Sequence, residues 1–141
     1  MNLSKEDMFC EGMVCTAAAK ASTNVLDFHK HGDDVMGALF FSVFVDAVDS
    51  ANNGASAVDK DLLVEWETSD AEAFGTSTTL WSKTCAKAGI VKGAYIVKNE
   101  ALPKGLKRYN RLKFTEASGT KFPDVTAFLH AGRDEGTPYK G

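Results

Sequence analysis

Seven or eight short β-prone runs follow one another along this chain, separated by turn residues, with no helical segment between them long enough to serve as a crossover. Parallel neighbours in a sheet need a crossover of about a dozen residues or more, so the pattern excludes a parallel α/β sheet. It predicts an all-β fold, an antiparallel jelly-roll or β-sandwich of about eight strands. The densest run, Val35–Val48 (VMGALFFSVFVDAV), is apolar on both faces, which is how a strand covered on both sides reads. Asp61–Glu67 (DLLVEWE) alternates instead, with Leu62, Val64 and Trp66 on one face and Leu63, Glu65 and Glu67 on the other. Further runs are Thr78–Lys83, Ala94–Val97, Tyr109–Thr115 and Val125–Leu129, with earlier candidates at Asn24–Phe28 and Val14–Ala18. Asp49–Ser56, containing Asn53-Gly54, is a loop by composition. Single helical turns are expected at Ser4–Asp7 and Asp70–Phe74. The predicted core includes Phe41, Val43, Trp66, Leu80, Trp81 and Phe128.

The chain's 141 residues suit one domain. That domain is expected over residues 1–131, with 1–13 as an N-terminal arm and 132–141 as a C-terminal tail without periodicity. A content of 44% hydrophobic and 25% charged residues excludes a disordered chain. No run approaches the roughly 18 apolar residues of a spanning helix, so no membrane partner is expected. The N-terminus lacks the apolar stretch of a signal peptide, which points to synthesis in the cytoplasm. Cys10, Cys15 and Cys85 are an odd set without framework spacing and are expected as free thiols.

His29-Lys30-His31 alone has metal-ligand character, since residues at i and i+2 share one side of a strand. A cupin-like metalloenzyme also needs a nearby glutamate and a third histidine after a Pro-x-Gly turn. Here Asp33 and Asp34 follow, and Arg108 stands after Pro103-Lys104-Gly105. Three protein ligands are the usual minimum for a catalytic site, so the expectation is a solvated loop and no metal or other cofactor. No serine lies in a Gly-x-Ser-x-Gly setting and no phosphate loop occurs. Lys104, Lys107, Arg108, Arg111 and Lys113 form a basic cluster interleaved with Tyr109 and Phe114. On an extended strand Lys107, Tyr109, Arg111 and Lys113 share one face. In a chain of formal net charge −3, such a face is expected to have no specific role or to meet an acidic protein surface, ahead of nucleic acid.

Five segments, Ala21–Asp27 (ASTNVLD), Trp66–Phe74 (WETSDAEAF), Leu80-Trp81, Leu102–Tyr109 (LPKGLKRY) and Val125–Leu129 (VTAFL), occur in a distinctive order and spacing. Together they resemble the capsid cement, or decoration, proteins of tailed bacteriophages, typified by that of a Bordetella phage. The resemblance covers roughly residues 9–131. It implies a jelly-roll and a non-enzymatic structural role on the outer surface of the virion, where such proteins staple neighbouring copies of an HK97-like major capsid protein. It also implies a homodimer, favoured over a trimer, for which the Val35–Val48 strand offers apolar surface. Arg133, Asp134, Glu135, Tyr139 and Lys140 of the tail, with Arg108 and Arg111, are the expected capsid contacts, because Arg and Tyr are enriched where proteins meet. The alternatives are the cupin-like enzyme and a carbohydrate- or host-binding sandwich. The latter wants exposed aromatics, whereas Trp66 and Trp81 are expected inside.

Overall fold

The computed structural model describes residues 8–28, 39–48 and 57–131. These form nine strands: β1 (Met8–Val14), β2 (Lys20–Ala21), β3 (Leu26–Asp27), β4 (Leu39–Ala47), β5 (Leu62–Ser69), β6 (Thr78–Cys85), β7 (Tyr95–Ala101), β8 (Tyr109–Thr115) and β9 (Asp124–Ala131). A three-residue 3-10 turn, Lys87–Gly89, lies between β6 and β7. One sheet runs β1-β9-β4-β7; the other runs β2-β8-β5-β6, with β3 also on β8. All pairings are antiparallel. β2 meets Phe114 and Lys113, and β3 meets Asn110 and Tyr109, so the two short strands occupy one interrupted position along β8. Counted that way there are eight positions in two four-strand sheets. Of the pairs consecutive in sequence, only β5 and β6 are neighbours in a sheet. β2 and β3 follow one another along β8, and every remaining connection passes from one sheet to the other, which is the winding of a double Greek-key jelly-roll.

The core is the layer between the sheets, where every second side chain of each strand points inward. Leu62, Val64 and Trp66 of β5 meet Phe41, Val43 and Val45 of β4, with Leu112 and Phe114 of β8 and Val125, Ala127 and Leu129 of β9. Trp66 is the hub. It is fully buried and takes edge-on ring contacts from Phe41 at 4.9 Å, Phe9 at 5.2 Å and Phe28 at 6.5 Å. Its indole N–H donates to Asn110 Oδ1 at 3.0 Å, and Asn110 Nδ2 donates to the Lys107 carbonyl at 2.9 Å. An amide this deep is tolerated because its polar ends are satisfied.

Several expectations change once the strands are placed. The arm expected over residues 1–13 is, from Met8 onward, strand β1, which carries Phe9 and Cys10 into the core. Alternation in Val14–Ala18 is weak, and those residues lead out of β1 rather than forming a strand of their own. Phe128 is fully buried but lies outside the central cluster: Ala127 and Leu129 point inward, so the period of two turns Phe128 to the opposite face of its sheet. Leu80 and Trp81 are only partly buried, because β6 is an edge strand with a neighbour on one side alone, but both pack against the core, the Trp81 ring meeting Phe41 at 5.0 Å. The turn expected at Asp70–Phe74 is a loop rather than helix. Ser69 Oγ accepts from the Ala71 N–H at 3.1 Å and donates to the Thr76 carbonyl at 2.7 Å, which shapes the β5–β6 connection. Residues 1–7, 29–38, 49–56 and 132–141 lie outside the described residues, and with them His29, His31, the first part of the Val35 run, and Arg133, Asp134, Glu135, Tyr139 and Lys140.

Candidate functional site

The outward face of β8 presents Tyr109, Arg111 and Lys113, the face expected to be basic. Antiparallel register sets Glu65 opposite Lys113 and Glu67 opposite Arg111. Glu67 Oε1 accepts from Arg111 Nε at 2.8 Å and Oε2 from Lys113 Nζ at 2.9 Å, while Lys113 also stands 3.8 Å from Glu65. Arg108 holds Asp27 of β3 in a two-pronged bond of 2.9 and 3.0 Å, and Lys107 pairs with Asp70 at 3.6 Å. Four cations thus meet four carboxylates from three other segments. Apart from Lys104, the basic cluster of the sequence is a neutral, cross-linked lattice in the fold, because β3, β5 and the loop after β5 each bring acids to β8. Arg108 and Arg111 are correspondingly committed within the chain. Arg111 also lies 4.2 Å above the ring of Phe74, and Arg108 lies 4.9 Å above Tyr109.

Glu67 is the anchor of this lattice. Burial would raise its pKa, but the bonds from Lys113 and Arg111 outweigh burial and hold it below the usual carboxylate range. Removing it strands two cations whose side chains are 24% and 26% exposed, so water offsets part of the loss. Glu67→Ala is expected to cost about 1–3 kcal/mol, below the full penalty for breaking a deeply buried pair. Urea unfolding at neutral pH measures this, and Glu67→Gln should fall between the two.

Three further polar groups were not legible in sequence. On the outer side of the β1-β9-β4-β7 sheet, Ser42 Oγ lies 2.9 Å from His130 Nε2 and accepts from the Asn99 N–H at 3.0 Å. Which of the two donates depends on the imidazole tautomer; a serine beside a histidine is also the pairing of a nucleophile with its base. Ser42 is fully buried and His130 nearly so, between the rings of Phe40 and Phe128, so the pair ties β4, β7 and β9 together instead of facing a substrate. The second group is Glu116 with Asp59. Glu116 is fully buried, and neither of its carboxylate oxygens meets a donor. Burial first, then its hydrogen bond with Asp59 and that residue's charge, push its pKa up to about 8. Asp59 accepts from Thr120 N and Oγ1 and from Lys121 N, and these bonds hold its own pKa well below the usual range against burial. Third, the β6–β7 edge of the sandwich carries exposed lysines, taken up below.

The three cysteines are free and buried. Loss of solvation pushes the Cys10 thiol up to about 12 and raises Cys15 and Cys85 as well, which leaves them poor nucleophiles. Among the described residues no cluster of three or more His, Cys, Asp or Glu is arranged to hold a metal ion.

The strand order and the two-sheet core define the class: an all-β jelly-roll sandwich whose charged face is neutralised from within. The chain belongs to the Bbp16 family, a bacteriophage protein family, whose model matches residues 9–127. No curated protein matches it in sequence. The matched span begins in β1 and ends in β9, so family and fold are coextensive.

Proposed function

We propose that this chain is a structural virion protein, a cement or decoration protein that binds the outer surface of an assembled phage head. It staples neighbouring copies of an HK97-like major capsid protein, acts without catalysis or cofactor, and works as a homodimer rather than a trimer. The observation that carries this reading is the match to a phage family across the whole jelly-roll. Physically, a ligand that binds only the assembled geometry stabilises that geometry by mass action. Each contact can be modest when two copies are linked, because the second contact is then intramolecular. A sandwich cross-linked on its own surface suits a clamp, since little ordering is needed on docking. The tail residues Arg133, Asp134, Glu135, Tyr139 and Lys140 remain a proposed part of the contact.

The test uses purified protein, heads stripped of it, and isolated capsid subunits. Stoichiometric protein on intact virions, and binding to heads at least about tenfold tighter than to subunits, are the expected results. Equal affinity for heads and free subunits would overturn the clamp. Deletion of residues 133–141 should lower occupancy while leaving the melting temperature unchanged.

A further inference from the structure

At one edge of the sandwich the lysine side chains form no ion pair among the described residues, although Asp61 Oδ1 accepts from the Lys87 N–H at 2.9 Å. β6 ends one sheet and β7 ends the other, and the two lie against each other: Lys83 Nζ and Cys85 Sγ of β6 both reach the Ile96 carbonyl of β7, at 3.0 and 3.6 Å. From residue 83 to residue 104 the sequence holds Lys83, Lys87, Lys92, Lys98 and Lys104 against a single acid, Glu100. All five lysines are exposed, and among the described residues none forms an ion pair. The contrast with β8, where four cations meet four carboxylates, is sharp. Within the same stretch Val91 is 49% exposed, a large apolar side chain next to Lys92.

Lysines on edge strands commonly keep an unpaired edge from recruiting another strand, which accounts for Lys83 and Lys98. It does not account for Lys87, Lys92 and Lys104, which stand on connections, nor for an exposed valine among them. We propose that the β6–β7 edge, with its connecting segments, is the docking surface for an acidic protein surface, which on the reading above is the outer face of the assembled shell. Lysines supply long-range attraction and a fast encounter, and Val91 supplies apolar area at the centre of the contact. Nucleic acid fits less well, because no arginine lies in the 83–104 segment and Tyr95, its one aromatic, is half-buried.

The experiment compares the full chain with the triple variant Lys87→Glu, Lys92→Glu, Lys104→Glu. A control carries Lys107→Glu and Lys121→Glu, outside the segment. Binding to stripped heads is measured at low and high salt, beside retention of duplex DNA. The triple variant should keep its melting temperature, bind heads about tenfold or more weakly at low salt, and approach the parent at high salt. The control should bind like the parent. Head binding by the parent with an unchanged triple variant overturns the docking surface and leaves the cement reading standing. A parent that ignores heads overturns the cement reading and the partner assigned here. Retention of DNA by the parent but not the triple variant, without head binding, makes the edge a nucleic-acid surface instead.

Discussion

Trp66→Ala should unfold the domain or bring it close to unfolding. Trp66 is fully buried and touches rings from β1, β4 and the segment after β3, so truncation empties the centre of the aromatic contact between the two sheets. A buried Trp→Ala change costs about 3–5 kcal/mol, against a typical total stability of about 5–15 kcal/mol. The loss is compounded at Asn110, whose carbonyl gives up the 3.0 Å indole bond inside a dry core. A melting temperature lowered by about 10 °C or more, or no cooperative transition at all, is expected by circular dichroism. Trp66→Phe keeps most of the ring volume but not the N–H donor, and should lose a minor part of that. A shift of only a degree or two in the alanine variant would mean that the two sheets do not close on this residue.

Glu116→Gln should make the protein more stable at pH 8 and flatten its stability profile between pH 4.5 and 8. In the fold Glu116 keeps its proton up to about 8, whereas an ordinary glutamate loses it near 4.5. A carboxyl whose folded pKa is raised contributes its full stability below the unfolded value. Above 4.5 the unfolded chain ionises first, and stability is lost until the folded group also ionises near 8. Each unit of separation corresponds to about 1.4 kcal/mol, and relaxation around the site reduces the sum, so a gain of about 2–4 kcal/mol at pH 8 is expected for the glutamine variant. The amide takes the place of the neutral acid and can donate to Asp59 as the acid's O–H does. Asp59 contributes with the opposite sign: its depressed pKa gives stability that is present above 3.8 and lost in stronger acid. Cys15, from the loop after β1, also feels the Glu116 charge. Subtracting variant from parent across a urea series from pH 4 to 9 removes groups common to both. Parallel profiles would show that Glu116 titrates in the fold as it does in the unfolded chain. Gly119 explains why the pair cannot spread: a Cβ there would fall 2.0 Å from Glu116 Oε1, so Gly119→Ala should be destabilising at every pH.

What the sequence carried by itself was everything that depends on local period. Alternation in Leu62, Val64 and Trp66, the Tyr109–Thr115 run and the absence of crossover helices were enough for an antiparallel sandwich of about eight strands, because strand period and turn chemistry are properties of a few adjacent residues. The order of segments was also enough to point to the phage family. Partnership was a different matter. Lys107, Arg108, Arg111 and Lys113 read as part of a basic cluster until register set Glu65 and Glu67 opposite two of them and the fold brought Asp27 and Asp70 to the others. Of the sparser lysines from 83 to 104 only Lys104 stood out in one dimension, yet none of the five forms an ion pair among the described residues once β6 and β7 become the two adjoining edges. Phe128 and Leu129 are adjacent and equally apolar, but the pleat sends one to the core and the other to the far face. Glu116 and Asp59 are ordinary acids in the chain, and only the burial of Glu116 beside the Asp59 charge makes it keep its proton. Charge balance, facing and proton affinity depend on which distant segments a strand pairs with, and in a jelly-roll those neighbours are decided by the winding of the two sheets.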